Sequence, residues 1–158
     1  MFFGQKIHPL NCDVPETLTL TGDVVELSGP GVRLQARCAD IADGCLRVRF
    51  DNAASLDPQQ YSDAVLPELR AGRSIAPRRE ADAVRFDAAA GSACFNDSQL
   101  RLELAGFTLE TVAAGISACG DALLLNFALR GVDGCYGFGE RTRRLNKLGD
   151  SADLLTVD

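Results

Sequence analysis

The sequence predicts an all-β protein, an antiparallel β-sandwich with few or no helices, on the strength of three observations. Apolar and polar residues alternate with a period of two along most of the chain, which is the pattern of half-buried strands. Turn-forming pairs such as Asp43-Gly44 and Ala105-Gly106 interrupt this alternation at short intervals. Helical patterns do not alternate with strands, as a parallel sheet with crossover helices would require. Frequent short strands of this kind favour two packed antiparallel sheets.

The alternating runs define the expected strands in chain order. Leu18 and Leu20 alternate with threonines, so the first strand has one apolar and one polar face. Further alternating runs cover residues 32–38, 46–50, 84–86, 100–104 and 107–109. The run 122–129 is apolar on both sides, which predicts a more deeply buried strand. Between residues 52 and 79 the alternation fades and prolines interrupt it, so we expect a long excursion between strands there.

Size and charge limit the classes of function. At 158 residues and 16.8 kDa the chain has room for one core. Its 16 basic and 22 acidic residues leave a net charge of −6, so we expect no nucleic-acid partner. No apolar run approaches the roughly 20 residues that span a bilayer, and the first residues lack the pattern of a secretory signal. We therefore expect a cytoplasmic protein without a membrane partner.

The six cysteines predict buried thiols and not a disulfide framework, because nothing else indicates secretion. Cys38, Cys94 and Cys135 have apolar neighbours, among which a thiol behaves as a small hydrophobe. No pair has CxxC spacing and His8 is the only histidine, which argues against a zinc site. The aspartates have no calcium-loop spacing. We expect neither a metal nor a cofactor.

A glycine-rich run near the end of the sequence is its most specific motif. It consists of Tyr136, Gly137, Phe138, Gly139, Glu140 and Arg141. Two glycines around one bulky residue allow backbone conformations that other residues avoid and a close approach of neighbouring chain. Phe138 can then turn into the core, and Glu140 and Arg141 can pair at a tight bend. This predicts a structural motif that carries no catalytic group.

The run resembles the segment that follows the N-terminal β-sandwich of family-31 glycoside hydrolases, the family of α-glucosidases and α-xylosidases. The upstream stretch 45–50, with its Leu-Arg-Val-Arg, is similar to an early strand of that family. The resemblance implies a galactose-mutarotase-like supersandwich over residues 1–134. It also implies a junction segment over residues 135–158, leading towards a (β/α)8 barrel. In the family an aromatic residue and an Asn precede an Asp of the substrate pocket; here only Asp158 matches, and it is the expected substrate contact in a full-length enzyme.

The resemblance also implies that the catalytic residues of the enzyme lie in the barrel and not in this chain. Retaining glycosidases use two carboxyl groups about 5–5.5 Å apart, and in this family both are aspartates of the barrel. A barrel needs roughly 250 residues, so we expect these 158 residues to be non-catalytic by themselves. The implied partners are the catalytic barrel of the same parent chain and, in the full-length enzyme, a carbohydrate substrate. Without the barrel, the uncovered apolar surface should promote self-association.

Two other classes of function remain open. A free-standing carbohydrate-binding module usually presents Trp and Tyr faces to sugar rings, and this chain has no Trp and two tyrosines, Tyr61 and Tyr136. A sandwich that binds a protein partner is equally compatible with the fold class. A mutarotase-type enzyme would need a histidine and a carboxylate as its acid and base, and His8 falls in an expected tail.

Residues of the junction run could also bind phosphate in two ways, as a dinucleotide-binding loop or as a basic cluster, and neither interpretation is favoured. Gly137 and Gly139 could begin a dinucleotide loop, but Thr142 stands where the third glycine belongs and no βαβ pattern surrounds it. The basic cluster that follows is typical of a solvated loop in an acidic chain. Its members are Arg141, Arg143, Arg144 and Lys147.

Overall fold

The computed structural model describes residues 12–42, 45–52, 72–120 and 122–128, and all regular structure within these ranges is β-strand. The strands are β1 (Thr17–Thr21), β2 (Val24–Gly29), β3 (Val32–Ala42), β4 (Cys45–Asn52), β5 (Arg73–Ser74), β6 (Pro77–Glu80), β7 (Ala83–Ala88), β8 (Gly91–Asn96), β9 (Gln99–Leu104), β10 (Phe107–Cys119) and β11 (Ala122–Ala128). Every pairing between them is antiparallel. The predicted all-β antiparallel class is confirmed.

The strands form two sheets, each of which follows the chain. A five-stranded sheet has the order β1-β2-β3-β4, with β5 also paired to β3. A six-stranded sheet runs β11-β10-β9-β8-β7-β6. Nearly every strand therefore pairs with its neighbour in sequence, because short turns such as Ala105-Gly106 join antiparallel strands directly.

Alternation decides which side chains enter the core. In β2, Val25 and Leu27 are fully buried, whereas Glu26 between them lies on the outer face and pairs with Arg33. The same alternation buries every second residue of β3 from Val32 to Cys38, and Val84 and Phe86 of β7. The buried apolar cluster comprises Val25, Leu27, Val32, Leu34, Ala36, Cys38, Ile75, Val84, Phe86, Ala93, Phe95, Leu100, Ile116 and Ala118. It draws on both sheets, so their inner faces form one core.

Three phenylalanines join the sheets at the centre of this core. Phe50 of β4 meets Phe95 of β8 edge to face, with ring centroids 5.9 Å apart and ring planes at 68°. Phe95 also contacts Phe86 of β7, again at 5.9 Å, with an interplanar angle of 81°. Edge-to-face pairs at this spacing add to the free energy gained from burial alone. Phe95 is thus one of the residues through which the five-stranded and the six-stranded sheet contact each other.

Four strands were not anticipated from the sequence, namely β2, β5, β6 and β8. In β8 the stretch Gly-Ser-Ala-Cys-Phe-Asn hides its alternation, because Ser92 and Ala93 are both buried. In β6 three of the four side chains are exposed, so no apolar face marks the strand. It forms through its register with β7, in which Pro77 opposes Phe86 and Glu80 opposes Ala83.

Parts of the expected excursion between residues 52 and 79 are strands. The strands β5 and β6 lie in its second half, and β5 pairs with β3 through Ser74 opposite Ala39. The first half, residues 53–71, lies outside the described residues. The expectation that this span is a connection between strands is therefore wrong for residues 73–74 and 77–79.

The expectation that residues 122–129 form a deeply buried strand is wrong. In β11 the residues are exposed or half-buried, and Leu123 is 37% exposed. The reason is its position at the end of the six-stranded order, where β10 is its one neighbour among the described strands. Apolar residues on both faces of a strand do not by themselves show that the strand is buried. Its burial depends on its place in the sheet.

The outcome for the remaining expectations depends on which residues are described. The junction segment 135–158, with the motif Tyr136–Arg141 and Asp158, lies outside the described ranges, and so does Cys135. The two-domain division at residue 134 and the finer supersandwich assignment stay predictions. In the described part of the chain, no helix is long and apolar enough to cross a membrane.

Strand β10 contains a bulge at which the buried hydroxyl of Thr111, and not a backbone carbonyl, accepts a hydrogen bond from β9. The register with β11 shifts between Thr111 and Ile116, and Ala114 between them has a φ of +56°, as expected at a bulge. The Thr111 side chain is buried, and its Oγ1 accepts a hydrogen bond of 2.9 Å from the backbone N–H of Leu100. A side chain therefore satisfies a buried donor of β9.

Replacing Thr111 with valine should lower the free energy of unfolding by about 1–3 kcal/mol. Valine keeps the shape of threonine but leaves the buried Leu100 N–H without an acceptor. Urea unfolding followed by circular dichroism measures the change. The matched control is Thr108→Val, at an exposed position of the same strand, which should leave the midpoint nearly unchanged. Equal effects of the two variants would contradict the role of the buried hydroxyl.

Candidate functional site

The chain before β1 passes from one sheet to the other at one end of the sandwich. Asp13 and Ala118 exchange two backbone hydrogen bonds of 2.7 and 2.8 Å, which attach this segment to β10. Three residues later the N–H of Glu16 donates to the carbonyl of Ser28 in the five-stranded sheet, at 2.9 Å. Residues 12–16 therefore cross between the sheets.

Two glycines allow this crossing segment to lie directly on the turn between β2 and β3. A Cβ on Gly29 would lie 2.7 Å from the carbonyl oxygen of Val14. A Cβ on Gly31, where φ is +72°, would overlap the carboxylate of Asp13. Glycine has no Cβ, so another part of the chain can approach its backbone this closely. Residues 13 and 14 thus pack directly against Gly29 and Gly31.

A cleft of about 350 Å³ opens beside this crossing. Its walls come from the β2–β3 turn and the start of β3, from β4, and from the β10–β11 turn. The lining residues are Gly31, Val32, Arg33, Leu34, Phe50, Asp51, Ala118, Gly120, Ala122 and Leu123. The lining residues are small and apolar ones together with Arg33 and Asp51. The volume of the cleft lies at the lower end of the range of small-molecule binding sites.

Neighbouring side chains hold both charged groups of the cleft. Arg33 donates to both carboxylate oxygens of Glu26, through Nε at 3.0 Å and Nη2 at 3.2 Å. Asp51 accepts from Arg49 in the same two-pronged way, through Nε at 2.9 Å and Nη2 at 3.2 Å. Such paired contacts give geometric specificity as well as energy. The pair that Asp51 forms is largely shielded from water, whereas the Arg33 side chain is 63% exposed, so its pair with Glu26 is a weak surface contact.

The charged residues among those that line this cleft are Arg33 and Asp51. Asp51 is the one carboxylate among its lining residues, and both of its oxygens are occupied by Arg49. Arg33 and Asp51 alternate along their strands with the core-facing residues Leu34 and Phe50, so their charged groups lie on the outer face of the five-stranded sheet and the Phe50 ring lies on its inner face. The paired carboxyls of a retaining glycosidase are not among the residues that line the cleft.

A ladder of charges covers the outer face of the six-stranded sheet. Arg85 donates to Asp87 at 2.8 Å and to Glu103 at 3.0 Å, and Arg101 lies 3.0 Å from the other oxygen of Glu103. The hydrogen bond from Arg85 is the main cause that lowers the pKa of Glu103, and the same pairs raise the pKa of Arg85. These groups bind one another, as expected for the solvated face of a sheet.

The described cysteines are thiols, and their burial differs from the expectation. Cys38 is buried and Cys94 is half-buried. Cys45, at the start of β4, is exposed, so the expected burial is wrong for this residue. Burial raises the pKa of the Cys38 thiol to about 12.

This burial predicts a large difference in thiol reactivity. Because the thiolate is the nucleophile, iodoacetamide at neutral pH should label Cys38 more than about tenfold more slowly than Cys45. Peptide mass spectrometry after timed labelling measures both rates in one sample. Labelling of the urea-unfolded chain is the control, in which the two rates should converge. Equal rates in the folded chain would contradict the burial of Cys38.

Sequence reasoning did not identify the cleft residues. Arg33 and Asp51 are ordinary polar members of alternating strands, and no local pattern sets them apart. They reach one cleft because β3 and β4 are paired, with Gln35 opposite Asp51. In the described ranges, no group of three or more His, Cys, Asp or Glu side chains could hold a metal ion.

The chain was compared with known protein families, proteins and structures. Neither the protein-family models, nor the curated proteins, nor the solved structures contain a match to the chain.

Proposed function

We propose that the chain is a non-catalytic β-sandwich domain of an α-glycosidase, which packs against a catalytic barrel of the same parent chain. The observation that carries the proposal is the junction-like run Tyr136–Arg141 after an antiparallel two-sheet sandwich. The stretch that resembles the early family strand, residues 45–50, lies in β4 of this sandwich. In the full-length enzyme, Asp158 would begin a loop that reaches the substrate.

Exposed apolar side chains support a role in packing against another domain. Phe107 and Val112 of β10 are 48% and 44% exposed, and Leu123 of β11 is 37% exposed. All three belong to the last two strands of the six-stranded sheet, which directly precede the junction segment in sequence. Covering such residues with a partner domain removes apolar area from water and is favourable.

The test begins with the native protein of the source cells. An immunoblot with an antibody raised against this domain should show a band several times larger than 16.8 kDa. The immunopurified protein should hydrolyse aryl α-glucosides or α-xylosides with retention of the anomeric configuration, as the resemblance implies. An aryl β-glucoside is the control substrate and should remain intact. A native band at 16.8 kDa, or a larger protein that cleaves neither α-substrate, would refute the proposal.

The cleft favours a second candidate, a carbohydrate-binding module. Arg33 and Asp51, which are among its lining residues, are polar groups of the kind that hydrogen-bond to sugar hydroxyls. An oligosaccharide at about 100 times its dissociation constant should stabilise the folded chain by about 2.7 kcal/mol, which a thermal-shift panel detects. Arg33→Gln should abolish the shift. The control Arg78→Gln changes an arginine of β6 that pairs with Glu80 and Asp87, and should keep it. Absence of any shift with the unmodified chain would dismiss this candidate.

A further inference from the structure

Two cysteines face each other where the crossing segment meets β10. The backbone pair Asp13–Ala118 exchanges both of its N–H···O=C hydrogen bonds. One step further in this antiparallel register, Cys12 lies directly opposite Cys119. Hydrogen-bonded and non-hydrogen-bonded pairs alternate along an antiparallel ladder. Cys12 and Cys119 therefore occupy a non-hydrogen-bonded position.

This position has the geometry that a disulfide needs. Cα atoms of a non-hydrogen-bonded pair lie about 4.5 Å apart, and the Cα atoms of disulfides lie about 4.4–6.8 Å apart. The two thiols are close enough for a side-chain hydrogen bond. Both residues are half-buried, which leaves a path for a small reagent.

We propose that Cys12 and Cys119 form a reversible disulfide by exchange with a low-molecular-weight disulfide such as oxidised glutathione. One cysteine, as its thiolate, attacks a glutathione sulfur, which gives a mixed disulfide and releases one glutathione thiolate. The second cysteine, as its thiolate, then attacks the protein sulfur of the mixed disulfide and releases the second glutathione. The protein loses two protons and two electrons, and one oxidised glutathione becomes two reduced ones.

The surroundings of the pair set its response to pH. Burial raises the pKa of the Cys12 thiol, and the hydrogen bond with Cys119 and the nearby charges of Cys119 and Asp13 raise it further. A raised pKa lowers the fraction of thiolate at neutral pH. Exchange should therefore accelerate as the pH increases from about 7 to 9, because the attacking group is the thiolate.

Oxidation would fasten the crossing segment to β10 at the edge of the cleft. Cys119 lies between Ala118 and Gly120, two of the residues that line the cleft. The disulfide would therefore restrict the motion of this side of the cleft. The bond would also close a loop that contains most of the described strands. A loop of this length strongly restricts the unfolded chain. We expect the oxidised form to melt about 5–10 °C above the reduced form.

The full 158-residue chain, equilibrated in buffers of graded oxidised and reduced glutathione, tests the proposal. After quenching with acid and alkylation, non-reducing peptide mapping should recover a Cys12–Cys119 linked peptide as the main intramolecular product. The melting temperature should rise with the fraction linked. Cys12→Ser and Cys119→Ser should each abolish the rise, whereas the control Cys45→Ser, at an exposed thiol, should retain it.

Two results would overturn the proposal. One is a map in which Cys12 and Cys119 carry only separate glutathione adducts at every buffer ratio. The other is a linked peptide that joins either residue to Cys45, Cys94 or Cys135 in place of the proposed pair. Both readouts use the unmodified chain, so they hold even if a serine variant folds poorly. They require no glycosidase or sugar-binding activity, so the inference stands or falls independently of the proposed function.

Discussion

Replacing Phe95 with alanine is expected to lower the free energy of unfolding by about 3–5 kcal/mol. The ring is fully buried and makes edge-to-face contacts with Phe50 in one sheet and Phe86 in its own. Its removal would delete both aromatic contacts and leave a cavity between the sheets, where the surrounding backbone has little freedom to collapse. A loss of this size is a large share of the stability of an ordinary domain.

Urea unfolding of the Phe95→Ala chain, followed by circular dichroism, measures this effect. The matched control is Phe107→Ala, which removes the same ring from a site that is 48% exposed. We expect the control to change the unfolding free energy by less than about 1 kcal/mol. A Phe95→Ala chain as stable as the control would show that the two sheets do not pack through this ring.

Replacing Gly91 with alanine is expected to destabilise the chain by about 3–5 kcal/mol. Gly91 begins β8 with a φ of +146°, which L side chains rarely adopt. An added Cβ would overlap the carbonyl oxygen of Glu103 and approach the Cα of Leu104 within 3.0 Å. These are backbone atoms of the paired strand β9, so the ladder itself would have to move. The backbone strain and the steric overlap therefore act together.

Gly106→Ala separates these two causes. Gly106 has a φ of +76°, but a Cβ there would meet nothing within 4 Å. This control should therefore show only the conformational cost, about 1 kcal/mol. The midpoints of thermal and urea unfolding for the two variants give the comparison. If both variants lost the same stability, the close approach of β9 to Gly91 would be refuted.

Much of the fold could be predicted because strand patterning is local. Leu18 and Leu20 predicted β1, and the run 100–104 predicted β9 with its inner and outer faces. Each observed turn joins neighbours in sequence, so turn pairs such as Ala105-Gly106 also indicated the hairpins. Prediction failed for β6 and β8, which lack one clean apolar face, because composition there does not display the period of two. It also missed β2, whose alternation rests on Val25 and Leu27 alone, and β5, which has two residues.

The candidate site was beyond sequence reasoning for a different reason. Arg33 and Asp51 are separated by a hairpin, and Leu123 comes from the other sheet, yet all three line one cleft. Nothing in the residues near any of them specifies the other two. The same holds for Cys12 and Cys119, which lack any spacing that predicts a pair. Their proximity follows from one bridge between Asp13 and Ala118.

The sequence by itself determined the all-β antiparallel class, the approximate positions of most strands and the core-facing residues of β3 and β7. These properties depend on side chains one or two positions apart, and backbone geometry converts such spacing directly into faces and turns. Tertiary structure alone decided that β11 is exposed, that Phe95 joins the sheets, that a cleft opens at one end and that two thiols meet there. Each of these results requires residues far apart in sequence to be neighbours, and only the packing of the two sheets brings them together.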